Sequence, residues 1–252
     1  MPFLKNKILE GKPAERINIG SASTDFQFGL QKGIPIALGY IPVAFTFGLM
    51  AVSGGISPGN AIAISLTNMT SAGQFAGANL IIAGAPLLEI TVTTFVINIR
   101  YLLMSLSLSQ RIASGTSLVQ RGIISFGITD ETFAVASLEQ SDLTFSYMLG
   151  LISSPYWGWA IGTAMGALAC SILPATIRSS MGIALYAMFI ALIVPNAKRS
   201  MAALCITIVA IAISSLLTWV PCLKQISPGW GIIIATMAAC LIGAFFFPRE
   251  DV

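Results

Sequence analysis

The stretch TTFVINIRYLLMS, residues 93–105, decides the fold class. It lies inside an apolar run, 86–109, whose only charged residues are Glu89 and Arg100. A run of about 20 apolar residues is long enough to cross a bilayer as a helix. The whole chain agrees, because 56% of its 252 residues are hydrophobic and 9% are charged, with a mean hydropathy of +0.86. Soluble domains carry about 25% charged residues, so we predict an all-α integral membrane protein.

Further apolar runs predict a polytopic helical bundle. Five runs are long enough to be full spans: 33–53, 86–109, 144–173, 200–219 and 229–247. A shorter run, 180–196, is counted as a sixth span, while the weaker stretches 58–83 and 122–138 are interrupted by polar residues. We therefore predict a cytosolic tail of residues 1–32 and one transmembrane helical domain over 33–252. That domain has about six full spans plus one or two broken or re-entrant helices.

The basic residues favour incomplete crossing by the two weak stretches. Cytosolic segments of membrane proteins carry an excess of Lys and Arg, and the basic tail therefore places the N-terminus in the cytosol. Full crossing by both stretches would leave Arg111, Arg121, Arg178 and Lys224 outside, against eight basic residues inside when the intramembrane Arg100 is not counted. If neither crosses, only Arg178 and Lys224 are outside, against ten inside. The second arrangement fits the rule better.

The composition also excludes several functional classes. The chain has no histidine, which rules out histidine-ligated metals and Ser–His catalysis. Its four cysteines, Cys170, Cys205, Cys222 and Cys240, are scattered without metal-binding spacing, so we expect buried thiols. There is no Walker loop, HExxH or GxSxG motif. From these missing motifs and ligands we expect no enzyme activity, no cofactor and no metal. The net charge of +3 is dispersed along the chain, so we also expect no nucleic-acid partner.

Arg100 is the most informative polar residue of the run 86–109. At about 1.5 Å per residue, it lies roughly 14 Å from Ser109, near the middle of a hydrocarbon core of about 30 Å. A charge at that depth is expected to face the protein interior. Glu89 and Thr93 share its helix face, but Glu89 is roughly 16 Å away by the helical rise, and Asn98 points in another direction. Arg100 either pairs with an acid on another helix or binds an anionic group of a ligand.

Asp130 and Glu131 form the second polar group, in SFGITDETFAVA, residues 125–136. One interpretation is a helix that begins here with Thr129 or Asp130 as its N-cap, since acidic residues suit a first turn. The other is a pair of carboxylates that binds an ammonium group or carries a coupling proton. Glu89 is a further candidate for proton coupling.

A polar island forms the third group, at Asn68, Thr70, Ser71 and Gln74. An unwound segment there would present backbone N–H groups and a helix N-terminus to a carboxylate. The alternative is hydrogen bonding between helices by small polar side chains.

Glycines at 158, 162 and 166 form a separate pattern, typical of a close helix contact made either within the chain or with a partner subunit.

These segments resemble the AzlC family, the large subunits of bacterial branched-chain amino-acid exporters. The resemblance covers roughly residues 26–200 and rests on GIPIALGYIPVAFTFGLMA, SAGQFAGANLIIAGAPLLEI, NIRYLLMSLSL and GITDETFA, in that order. The family-like positions are Gln74, Phe75, Asn98, Arg100, Asp130 and Glu131. Tyr101 departs from the family, which often has a histidine there, so a proton role for this position is in doubt.

The resemblance implies a secondary exporter of valine, leucine or isoleucine in the bacterial inner membrane, working with a small AzlD-type membrane subunit. The predicted substrate-binding residues are Asn68, Thr70, Ser71, Gln74, Asn98, Arg100, Asp130 and Glu131. The proton-coupling candidates are Glu89, Asp130 and Glu131. A channel or a carrier for another small metabolite or ion is the alternative function.

Overall fold

The protein is described by a computed structural model that covers residues 22–170, 172–174, 190, 193–195, 197–198, 200–223 and 225–247. The predicted span 180–196 lies mostly outside these residues, as do residues 1–21 of the predicted tail. The helices within this part of the chain are α1 (Ala22–Ser53), α2 (Pro58–Thr67), α3 (Ala72–Ile82), α4 (Leu87–Asn98), α5 (Arg100–Ser109), α6 (Leu118–Phe126), α7 (Asp130–Leu138), α8 (Phe145–Ala169), α9 (Met201–Trp219) and α10 (Pro228–Phe246).

Helices α1 and α8 run parallel and in contact along their whole length. The Thr144 hydroxyl donates to Asp25 Oδ2 at 3.0 Å at one end, and Ser53 Oγ and Cys170 Sγ are 3.3 Å apart at the other. We call these the Asp25 end and the Ser53 end of the bundle. α1 begins at Ala22, eleven residues before the predicted span at 33.

Glycines allow α1 and α8 to approach this closely. A Cβ on Gly162 would lie 2.6 Å from the Ile41 carbonyl oxygen, and one on Gly166 would lie 2.0 Å from that of Phe45. Gly29 of α1 would meet the backbone of Tyr147 in the same way. Because lipid offers no hydrophobic drive for association, such backbone contact is the main source of helix attraction. The glycine pattern of α8 therefore serves a contact within the chain.

The first weak stretch forms a hairpin, which we call the first hairpin (58–82). Its helix α2 starts near the Ser53 end with Ser57 as N-cap, whose hydroxyl accepts from the Asn60 N–H at 3.3 Å. The chain turns at residues 68–71, and α3 returns until Ile82 lies against Gly54. Both ends of the hairpin are therefore at the Ser53 end.

The second weak stretch forms an opposed hairpin, the second hairpin (118–138). An isolated bridge pairs Ile112 with Leu143, next to the start of α8. The Arg111 guanidinium donates to the carbonyls of Ser137 and Glu139, at the C-terminal end of α7. Both ends of this hairpin are therefore at the Asp25 end, and its turn at residues 127–129 reaches Ile152, about two helical turns into α8.

Residues 86–109 are not the uninterrupted span that the sequence predicts. α4 ends at Asn98, α5 begins at Arg100, and the two helices meet at an angle of 43°. The polar residues on either side of the break face different neighbours, since Asn98 lies against Gly73 and Arg100 against Asp130. Together α4 and α5 lead from the Ser53 end to the Asp25 end.

Helices α9 and α10 form an antiparallel pair, with Ile206 against Gly243. Within the described residues, α1, α9 and α10 are long and apolar enough to cross a membrane alone, and the bent pair α4–α5 would make four. The prediction of about six full spans therefore exceeds what the structure shows. α8 has 25 residues but is not among the four, because glycine, serine and aromatic residues replace aliphatic ones where it packs on α1.

The cysteines are free. Cys170 is buried as expected, but Cys222 and Cys240 are exposed, which corrects the prediction for these two. A thiol is a weak hydrogen-bonding group and needs no polar partner on an apolar surface.

Candidate functional site

Three interruptions of helical structure converge midway between the two ends of the bundle. They are the turn of the first hairpin (68–71), the α4–α5 break at Ile99 and the turn of the second hairpin (127–129). A cavity of about 790 Å³ lies between them, and its walls include Tyr40 of α1 and Trp159 of α8. Helices α3, α5 and α7 all begin at this cavity, so the positive ends of three helix dipoles face it. Irregular backbone inside a membrane is tolerated where it lines such a space.

Arg100 and Asp130 form an ion pair on the cavity wall, with 2.7 Å between Nη1 and Oδ2. The exposed fractions of the two side chains are 43% and 45%, and both residues line the cavity. Of the two alternatives left open by the sequence, the structure shows the ion pair with an acid on another helix, and the Arg100 side chain remains exposed to the cavity.

Glu131 has a different environment from its neighbour Asp130. Its Oε2 atom is 2.5 Å from the Tyr40 hydroxyl, which also lies 2.8 Å from Thr129 Oγ1. Because a phenol carries one proton and a carboxylate is the stronger acceptor, Tyr40 donates to Glu131 and accepts from Thr129. Asp130 therefore has a cationic partner, Arg100, whereas Glu131 has a neutral partner, the Tyr40 phenol.

The start of α7 explains why both acids face the cavity. Thr129 is the N-cap, and it exchanges hydrogen bonds with Thr132 in a capping box. This cap fixes the first turn, in which Asp130 and Glu131 are successive residues. The capping interpretation is confirmed with Thr129 as the N-cap, and the two acids lie in the first turn of α7 on the cavity wall.

The first hairpin contributes backbone and small polar groups to the cavity. The Tyr101 hydroxyl donates to the Thr70 carbonyl at 3.2 Å and so joins α5 to this turn. Ser71 lines the cavity with φ of 49°, in the left-handed region that non-glycine residues rarely adopt. The N-terminus of α3 has no side-chain cap, so its first N–H groups are not taken up by an N-cap side chain.

Several predicted site residues lie away from the cavity. Gln74 is buried behind it, where its Oε1 accepts from Trp159 Nε1 at 2.9 Å and its Nε2 donates to Ser65 Oγ at 2.6 Å. Asn68 accepts from the Thr70 hydroxyl at 2.7 Å within the turn itself. Asn98 lies against Gly73, and its buried Oδ1 has no hydrogen-bond partner among the residues described.

Glu89 is also remote from the cavity. It is 2% exposed, and its Oε1 accepts from Ser227 Oγ at 2.7 Å and from the Gly229 N–H at 2.8 Å. Both donors belong to the start of α10, where the helix dipole favours a carboxylate. Glu89 therefore attaches α10 to α4, and no contact links it to Arg100.

Two aromatic residues of the cavity were not identified from the sequence. Tyr40 and Trp159 pack edge to face with ring centroids 5.3 Å apart, and both use their polar atoms on the residues described above. A buried Tyr or Trp usually needs such a partner. That requirement, applied to a tyrosine amid the glycines and prolines of α1, is the signal that could have indicated Tyr40.

The fold and cavity define a class of protein: a helical membrane protein in which two half-length hairpins enter a bundle from opposite ends and meet at a central polar cavity. The AzlC protein family matches residues 35–173, and on this match the chain belongs to that family. The chain is 32% identical over 193 residues to the inner membrane protein YgaZ of Escherichia coli, covering 73% of this chain and 78% of that protein.

Other relatives agree with a membrane location. An uncharacterized membrane protein of Archaeoglobus fulgidus is 36% identical over 180 residues, covering 71% of this chain and 78% of its own. One from Helicobacter pylori is 29% identical over 140 residues, covering 53% of this chain and 60% of its own. No solved structure matches the chain.

Proposed function

We propose that this protein is a secondary exporter of branched-chain amino acids. The observation that carries the proposal is the pairing of a cationic and an anionic position on one cavity wall. Arg100 and Glu131 offer complementary charges to the carboxylate and the ammonium of a zwitterion, and Asp130 neutralises Arg100 when the site is empty. The cavity volume of about 790 Å³ is within the usual range for small-molecule sites.

The bundle geometry supports alternating access as the transport mechanism. The first hairpin opens toward the Ser53 end and the second toward the Asp25 end, so each separates the cavity from one side. Half-helices that meet at the midplane are a recurrent feature of secondary transporters. In this proposal six full spans, including 180–196, surround the two re-entrant hairpins. The N-terminus and Arg111 then share the cytosolic side of a bacterial inner membrane.

Proton coupling is assigned to Asp130 and Glu131. When a substrate carboxylate binds the Arg100 guanidinium, Asp130 loses its cationic partner and becomes the group that gains a proton. Glu131 changes partner at the same time, from the Tyr40 phenol to the substrate ammonium. Glu89 is the weaker candidate, because the start of α10 holds it away from the cavity.

A small AzlD-type membrane subunit is part of the proposal, because the family is associated with one. A gene for a small membrane protein beside the gene for this chain would support it. Efflux that is equally fast with and without that protein would remove the subunit from the proposal.

The test is efflux of labelled leucine from loaded vesicles that contain this chain and its small subunit. Replacing Arg100 with glutamine is expected to lower efflux at sub-saturating leucine roughly 10- to 100-fold, since a hydrogen bond to a charged group contributes about 1.5–3 kcal/mol. Arg121→Gln is the matched control, because the Arg121 Nε donates to the Thr116 carbonyl outside the cavity.

Three results would contradict the proposal. Normal leucine efflux by Arg100→Gln, at equal protein level, would remove Arg100 from the site. A rate of efflux that does not change with an imposed proton gradient would exclude a role of Asp130 and Glu131 in proton coupling. Saturable export of another metabolite, with no competition by leucine, would replace amino-acid export by the alternative carrier function.

A further inference from the structure

A second cavity of about 400 Å³ opens beside the first. The two cavities share Tyr40, Ser71, Glu131 and Trp159, so they are contiguous around the Tyr40–Glu131 hydrogen bond. The remaining walls of the second cavity come from α1 and are all apolar: Pro35, Ile36, Gly39 and Val43. Among the described residues of its lining, Glu131 alone is charged, and it lies at the junction with the first cavity.

Gly39 lies in the wall of the second cavity. Among the described residues, no atom lies within 4 Å of a Cβ placed on Gly39, whereas Gly29, Gly33 and Gly48 of the same helix would each place a Cβ within 3 Å of a neighbour. The last three are glycines because α8 approaches there. Gly39 has no such neighbour and instead leaves an open apolar recess next to the cavity.

We infer that this recess is the subsite for the substrate side chain, and that Gly39 sets its size limit. The inference rests on the proposed function. In an α-amino acid the carboxylate, the ammonium and the side chain all branch from one carbon atom. With the carboxylate at Arg100 and the ammonium at Glu131, the side chain is directed to the far side of Glu131, where the apolar recess begins.

The recess selects amino acids with apolar side chains. Each buried methylene group favours binding roughly fourfold, so leucine gains roughly 50-fold over alanine from the same site. The described residues beyond the junction supply no polar side chain, so a polar substrate side chain that met only them would lose its hydrogen bonds to water without replacement. Discrimination thus comes from apolar area and shape, and it is separate from the recognition of the zwitterion at Arg100 and Glu131.

The experiment compares Gly39→Ala and Gly39→Leu with the unchanged protein in leucine-loaded and alanine-loaded vesicles. Gly122→Leu is the matched control, because Gly122 is also an exposed helical glycine with open space around its Cβ position. We expect Gly39→Leu to lower leucine efflux at least tenfold while alanine efflux stays within about twofold of the unchanged protein. Leucine efflux by Gly39→Ala is expected to lie between that of the unchanged protein and that of Gly39→Leu. Gly122→Leu is expected to transport both substrates normally.

The outcomes separate this inference from the proposed function. Leucine efflux unaffected by Gly39→Leu, or an equal fall for leucine and alanine in a correctly inserted protein, overturns the subsite. If Gly39→Leu does not reach the membrane, Gly39→Ala supplies the same comparison, and an unchanged leucine-to-alanine ratio overturns the subsite. Failure of the unchanged protein to export any amino acid overturns the proposed function, and the subsite with it.

Discussion

Replacing Gly166 with alanine tests the parallel packing of α1 and α8. The added Cβ would lie 2.0 Å from the Phe45 carbonyl oxygen, whereas real Cβ atoms do not come closer than 3.0 Å to a neighbour. The two backbones must therefore separate by about 1 Å at this point. Overpacking of this kind costs about 1–3 kcal/mol, and an apparent melting temperature falls by about 2–4 °C per kcal/mol for a chain of this size.

A graded series makes the test specific to this interface. A Cβ would lie 2.9 Å from the nearest backbone oxygen at Gly158, 2.6 Å at Gly162 and 2.0 Å at Gly166. The melting temperature in detergent, followed by intrinsic fluorescence, should fall in that order for the three alanine variants. Gly122→Ala should instead raise it slightly, since alanine favours a helix by about 0.5–1 kcal/mol. Equal stability of Gly166→Ala and Gly122→Ala would refute the packing described here.

Further measurements address the site and the topology. Arg100→Gln and Asp130→Asn are each expected to lower the melting temperature less than Gly166→Ala does, because an exposed ion pair contributes about 0.2–1 kcal/mol. A larger fall in melting temperature would mean that the ion pair is needed for the stability of the fold. Gln74→Leu should cost about 1–3 kcal/mol of stability, because Trp159 Nε1 loses its acceptor and Ser65 keeps only its hydrogen bond with Thr163, and full stability would contradict the buried network. Asp130→Asn should abolish the dependence of efflux on the proton gradient while Glu89→Gln retains it, and the reverse result would move coupling to the start of α10. In a cysteine-free background, single cysteines that replace Ser114 or Ser141 should react with an impermeant thiol reagent from the cytosolic side only. A cysteine that replaces Gly84 should react from the opposite side. Labelling of the cysteines at positions 114 and 141 from opposite sides would rule out a re-entrant second hairpin.

The two hairpins were predictable because their turns are chemically visible. Polar side chains such as Asn68 and Thr70, or Thr129 and Asp130, interrupt otherwise apolar runs, and an interrupted helix in a membrane needs a protein environment. The bend at Ile99 was not predicted, because aliphatic residues continue on both sides of Asn98 and Arg100. A local pattern cannot show that these two side chains have partners in different directions.

The partner of Arg100 depended on the tertiary structure. Asp130 is 30 positions further along the chain, and it reaches Arg100 only because the second hairpin lies beside α5 in the bundle. Gln74 shows the other alternative that the sequence left open, since its amide hydrogen-bonds to Trp159 and Ser65 of neighbouring helices. Tyr40 was not predicted as a site residue because tyrosine is common in transmembrane helices. Its hydrogen bond to Glu131 becomes visible only in the folded structure.

The pairing of α1 with α8 also constrains how the protein is made. Gly29 and Gly150, which lie against the backbones of Tyr147 and Phe26, are 121 positions apart in the chain. Contacts of such long sequence separation form late, because the intervening chain must be ordered first. During synthesis α1 must therefore stay in the membrane without its main neighbour until α8 has been inserted. The polar turns of both hairpins lack their shared cavity wall for the same interval. Nascent chains that end before α8 are thus expected to be substrates for membrane chaperones and proteases, even though they contain Arg100, Asp130 and Glu131.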